Sequence, residues 1–137
     1  MVRAVLDTNV VVSALLTPEG PPALILDVAT TRLFRWYVSE LLLEEYGEVL
    51  ARARFGLDQR RIAKFMLRVR KMAIVVVPRR RLKVTIDSED NKVMECALEA
   101  RADYVVTGNV RHFPARFHEV RIVRPQQFLT VLAAQPR

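Results

Sequence analysis

Apolar residues along this chain fall into two alternating rhythms. Short runs at Val2–Leu6, Phe34–Val38, Ala73–Val77, Asp103–Thr107 and Val120–Val123 read as strands. Between them, apolar positions recur every three or four residues, predicting helices over Asn9–Leu16, Ala23–Thr31, Glu40–Arg52, Asp58 to about Met72, Ser88 to about Arg101, and Pro125 to about Ala133. The punctuation agrees. Pro21 and Pro22 suit a helix start, while Ser39, Asp58 and Ser88 are good N-caps. Arg54-Phe55-Gly56 breaks a helix, Pro78 stops a strand, and Gly108 ends another. The alternation predicts an α/β fold: a Rossmann-like parallel sheet of about five strands with helices on both faces.

The length of 137 residues suits a single domain, and no internal repeat or low-complexity segment interrupts it. Hydrophobic residues make up 51%, enough for a real core. No apolar run approaches the roughly 20 residues needed to span a bilayer, and the N-terminus lacks a signal-peptide pattern. Cys96 has no partner for an internal disulfide. The expectation is a cytoplasmic protein with no membrane segment. The net charge of +7 changes the picture more. Arginine outnumbers lysine, and guanidinium groups bind phosphate bidentately, which points to nucleic acid. Arginine-rich coding for other reasons would give the same balance.

Against that basic background, acids stand where apolar runs end. Asp7 closes the first strand, and open parallel sheets bind ligands beyond that edge. Capping of the following helix, with Thr8, is the competing reading. In the third helix, Leu42, Leu43, Tyr46, Val49 and Leu50 form an apolar stripe. Glu45 borders that stripe, whereas Glu44 and Glu48 point away, so Glu45 is the candidate; a solvated boundary glutamate explains it equally well. Asp87-Ser88-Glu89-Asp90 exceeds what one helix cap requires. Asp90 lies on the inward face with Val93 and Ala97, and Asp87 reads as a supporting residue. Thr107-Gly108-Asn109 follows a strand, and Asn109 offers a neutral oxygen donor, or is a plain turn residue.

The cations divide. Arg60, Arg61, Lys64, Arg68 and Lys71 occupy one helix face, a solvated face by default. Arg79, Arg80, Arg81 and Lys83 repel one another unless a polyanion or acidic partner offsets them, which makes them RNA-binding candidates. His112 and His118 lack metal-ligand spacing with each other and read as surface residues, a place near substrate being the alternative. Cys96 reads as an inert core thiol.

Taken together, the opening strand with Asp7-Thr8-Asn9, the segment Ser39–Leu50, Asp87-Ser88-Glu89-Asp90-Asn91 and Ala102-Asp103-Tyr104-Val105-Val106-Thr107-Gly108-Asn109 resemble the PIN-domain family of ribonucleases, especially VapC-like toxins of toxin–antitoxin pairs. The resemblance implies a PIN-like sheet, Mg²⁺ or Mn²⁺, endonucleolytic cleavage of RNA, a homodimer and an inhibitory antitoxin protein. It carries the metal-holding acids over to Asp7, Glu45 and Asp90. The fourth acidic position is Asn109 here, which weakens any second metal position. Thr8, Asn9, Asp87 and Thr107 become residues that orient the acids. Two rivals are a non-catalytic PIN-fold RNA-binding or regulatory module, and a phosphatase-like domain using Asp7 as nucleophile. The latter wants a second Asp where this chain has Asn9.

Overall fold

Among the described residues, six strands form one sheet in the order β3-β2-β1-β4-β6-β5. They are β1 (Arg3–Leu6), β2 (Arg35–Val38), β3 (Ile74–Val75), β4 (Tyr104–Val106), β5 (Arg116–Phe117) and β6 (Val120–Val123). The helices are α1 (Thr8–Leu16), α2 (Pro21–Thr30), α3 (Glu40–Leu50), α4 (Gln59–Met72), α5 (Ser88–Ala100) and α6 (Pro125–Ala133). This computed structural model describes residues 1–81 and 88–136, without the side chains of Ser88 and Glu89. Lys83, Asp87 and the capping role of Ser88 therefore lie outside the described residues.

All pairings are parallel except β5 with β6, which run antiparallel. Successive residues of a strand face opposite sides of the sheet. Ala4, Val5 and Leu6 are all fully buried, as are Val105 and Val106, so both faces of the central strands are covered. Local chemistry sets the helix starts. Ser39 Oγ accepts from the Leu42 N–H at 3.1 Å, and Asp58 Oδ1 from the Arg60 N–H at 2.9 Å. Pro21 and Pro125 open α2 and α6. Trp36, Tyr46 and Phe128 are the bulkiest fully buried side chains, and the Tyr46 hydroxyl donates to the Leu6 carbonyl, tying α3 to β1.

The sequence pattern predicts five strands, and the structure adds a sixth. Strand β5 has two residues and pairs Phe117 with Val120 across the His118-Glu119 turn. His118 adopts φ +53 there. Such turns favour Asn or Gly, so this one leaves no ordinary sequence signature. The strand expected over Ala73–Val77 shrinks to an exposed two-residue edge, and α3 ends at Leu50, short of the predicted Arg52, with a separate 3-10 turn following at Ala53–Phe55. Among the described residues no single helix is long and apolar enough to cross a membrane; α1 and α2 reach that length only across a bend of 98°.

The chain runs from β1 outward through β2 to β3, then returns to β4 on the other side of β1. The strand order therefore reverses between β1 and β4. A crevice outside the carboxyl ends of these two strands is where such a sheet receives a ligand. Asp7 and Thr107 are the residues that follow them.

Candidate active site

Asp7 is held from every side. Its backbone N–H donates to the Val106 carbonyl at 2.9 Å, locking the end of β1 to the end of β4. Its Oδ1 accepts from the Thr8 N–H at 2.8 Å, which caps α1. Its Oδ2 accepts from Thr107 Oγ1 at 2.7 Å and from Asn9 Nδ2 at 3.1 Å. Capping and site roles thus coincide in one residue. The side chain is almost fully buried, and burial pushes its pKa up against the opposing pull of the Thr107, Thr8 and Asn9 hydrogen bonds and the nearby His112. A carboxylate so placed is short of positive charge.

Thr107 and Asn9 form the brace behind it. Fully buried Thr107 accepts from the Asn109 N–H at 3.0 Å through the hydroxyl that donates to Asp7. Asn9 Oδ1 accepts from the Gly108 N–H at 2.9 Å, so its amide orientation is fixed at both ends. The short turn after β4 is thereby stitched to the start of α1.

Glu45 enters from α3. Its Oε2 accepts from the Thr8 hydroxyl, and its Oε1 lies 3.8 Å from Lys92 Nζ on α5. Glu44 and Glu48 are exposed, as the apolar stripe predicts. Asp90 comes from the first turn of α5, with Oδ2 lying 3.3 Å from His112 Nδ1. Asp7, Thr8, Asn9, Glu45 and Asp90 all line a single cleft of about 350 Å³.

Other predicted residues fall elsewhere. Asn109 is exposed at the head of the 3-10 turn Val110–His112 and is not among the residues lining the cleft. That turn instead delivers His112 to Asp90. Arg79, Arg80 and Arg81 sit beside the later part of α5. The Arg79 N–H donates to Glu99 Oε1 at 3.0 Å, and Arg81 Nη1 lies 3.6 Å from Glu95 Oε1. Arg79 and Arg80 line a second cavity of about 450 Å³ with Arg101 and His118. Cys96 is buried, and burial pushes its thiol up to about 12, leaving it inert.

The cleft also holds residues that the sequence reading passed over. Ser13 lines it, one α1 turn beyond Asn9. Arg52, Arg54 and Phe55 line it from the segment after α3, with the Arg54 guanidinium 4.8 Å from the centre of the Phe55 ring. In the sequence this segment reads as a helix break. Arg52 before that break and Arg54 within it are the available signal. Lys92, two residues after Asp90 on α5, approaches Glu45 but is not among the residues lining the cleft.

Hard oxygen donors of this kind suit Mg²⁺ or Mn²⁺, and a cation would relieve the charge deficit at buried Asp7. The donor chemistry therefore fits a hard divalent ion. Among the described residues, no three acid, His or Cys side chains are already gathered at metal-binding spacing.

The fold and the cleft together define an α/β domain with carboxylates collected at the switch point of its sheet. The chain belongs to the PIN-domain family, whose model matches residues 3–111. It is also 31% identical over 112 residues to the uncharacterized protein MJ1680 of Methanocaldococcus jannaschii, covering 79% of this chain and 71% of that one. PIN domains are generally nucleases and typically use divalent metal ions, so a hydrolase is the class to which the chain is assigned.

Proposed function

We propose that this protein is a metal-dependent endoribonuclease that hydrolyses RNA phosphodiester bonds. The observation that carries the reading is the meeting of Asp7, Glu45 and Asp90, from three separate elements, along one cleft at the sheet's switch point. These three acids would hold Mg²⁺ or Mn²⁺, and the bound ion supplies a water-derived hydroxide near neutral pH and offsets charge on the phosphate. The protein's own groups do the rest. Thr107 and Asn9 fix the Asp7 carboxylate, and the Thr8 hydroxyl fixes Glu45. Arg52 and Arg54 stand ready for flanking phosphates of the strand.

The likeness to VapC-like toxins supports a finer reading: a cytoplasmic homodimer, restrained by an antitoxin protein and acting as the toxin of the pair. Asn109, standing where a fourth acid is expected, favours one alternative, a non-catalytic PIN-fold RNA-binding or regulatory module.

The test is cleavage of a labelled RNA in Mn²⁺ and in Mg²⁺ by wild type and by Asp7→Ala, Glu45→Ala and Asp90→Ala. Each substitution should lower the rate by about a hundredfold or more, because each removes charge aimed at the reacting centre. Wild-type rates in all three variants contradict the site. Metal binding with no cleavage of any RNA by wild type selects the non-catalytic module.

A further inference from the structure

The cavity beside the far end of α5 has no part in the acidic cleft. It measures about 450 Å³ and is lined by Arg79, Arg80, Arg101, His118, Glu95 and Glu99. Helix α5 turns these two glutamates roughly 140° and 180° away from Asp90. Arg101 stands before β4 and His118 before β6, at the amino ends of two parallel strands. Asp7 and Thr107 stand at the opposite, carboxyl edge of the sheet.

The charges around this cavity do not balance. Glu99 accepts from the Arg79 backbone N–H at 3.0 Å, and Glu95 Oε1 lies 3.6 Å from Arg81 Nη1. Among the described residues, the guanidinium groups of Arg79, Arg80 and Arg101 and the His118 ring make no hydrogen bond or ion pair. Four arginines, Arg81 included, stand against two glutamates, which leaves two positive charges at the opening. A phosphate monoester carries a charge of about −1.5 to −2 at neutral pH and three strong acceptor oxygens. Guanidinium forks bind such oxygens bidentately. The volume also falls in the range that small ligands occupy.

The backbone adds a second observation. Arg101 has φ +52 and His118 has φ +53, a left-handed conformation that glycine or asparagine adopts at lower cost. Strain of this kind collects at ligand sites. Here both strained residues line one cavity.

We infer that this cavity binds a terminal phosphate monoester through Arg79, Arg80 and Arg101. The phosphate is carried by the end of an RNA strand or by a free mononucleotide. The site is separate from the acidic cleft, and it stands whether or not that cleft cuts RNA.

The test isolates the one phosphate and works in EDTA, without chemistry. Fluorescence anisotropy compares labelled oligouridines bearing a 5′-phosphate, a 3′-phosphate or no terminal phosphate. Calorimetry compares uridine monophosphate with uridine. Wild type should favour the phosphorylated member of at least one set by about tenfold, the worth of a charge-assisted contact. A preference confined to the oligonucleotides assigns the phosphate to an RNA end, and one seen with the monophosphate assigns it to a small ligand. Arg80→Gln and Arg101→Asn should each abolish the preference. Asparagine accommodates the left-handed backbone, so Arg101→Asn should melt at or above wild type, which separates lost binding from lost fold. Three results overturn the inference: no preference for phosphate in either set, a preference that survives in both variants, or displacement of the phosphorylated probe by polyglutamate at equal charge concentration. The last would mark a surface for an acidic protein instead.

Discussion

At the scale of the residue, Asp7 carries the most information. Its burial outweighs the three hydrogen bonds and the nearby His112 that favour the charged form, so its pKa is raised. The folded state then holds the Asp7 proton more tightly than the unfolded chain does. Metal-free stability should fall as pH rises from the ordinary carboxyl range through the raised pKa, and level off above it. In Asp7→Asn this contribution is absent. The variant should melt at least as high as wild type at neutral pH in EDTA, with its advantage shrinking on acidification. A melting-temperature gap that does not vary with pH would show that Asp7 burial does not govern metal-free stability. The positions of Asp7 at a strand end and of Glu45 at the border of an apolar stripe were legible in the sequence, though for Glu45 the stripe alone left a solvated glutamate equally open. The bracing by Thr107 was legible only as motif membership, since residues 7 and 107 meet through a strand pairing that no local pattern reports. That Lys92 approaches Glu45 and His112 approaches Asp90 was not legible. Nothing in their own segments shows which acid lies opposite.

At the scale of the element, α5 connects two different sites. Its first turn supplies Asp90 to the acidic cleft. Its far end supplies Glu99 and leads to Arg101, roughly 16 Å further along the helix axis. The arginine cluster at 79–81 belongs to that far end. Its crowding is eased within the chain where Glu95 lies beside Arg81, while Glu99 holds the Arg79 backbone in place. The cavity there still gathers Arg79, Arg80 and Arg101, and its His118 and Arg101 both occupy left-handed backbone conformations that non-glycine residues seldom adopt. Replacing Arg79, Arg80 and Arg81 together with glutamine should weaken RNA binding and flatten its salt dependence. The slope should drop by less than the roughly 2 that three unencumbered phosphate contacts on a single strand would give. Unchanged affinity and slope would return the segment to a solvated loop. Helix starts were legible because capping chemistry is local, as at Ser39 and Asp58. The extent of β3 and the existence of β5 were not, because two-residue strands at a sheet edge are made by their partners rather than by their own pattern.

At the scale of the whole molecule, a chain of net charge +7 encloses an acidic cleft. The long-range field favours approach of a polyanion, and the acids then require a cation at the point of contact. The alternating pattern of strands and helices made the sheet class legible, and burial on both faces of β1 and β4 follows from their uninterrupted apolar runs. Which cations border the cleft was not legible, since Arg52 and Arg54 reach it only through the path taken after α3. The central claim is that Asp7, Glu45 and Asp90 act as one ion-binding unit. The most direct measurement is a calorimetric Mn²⁺ titration of wild type, Asp7→Asn, Glu45→Gln, Asp90→Asn and Asn109→Asp. The account predicts one ion on wild type, affinity weakened about tenfold or more by each of the three amide substitutions, and tightened by Asn109→Asp. Binding that is absent from wild type, or unaffected by all three amide substitutions, would contradict it.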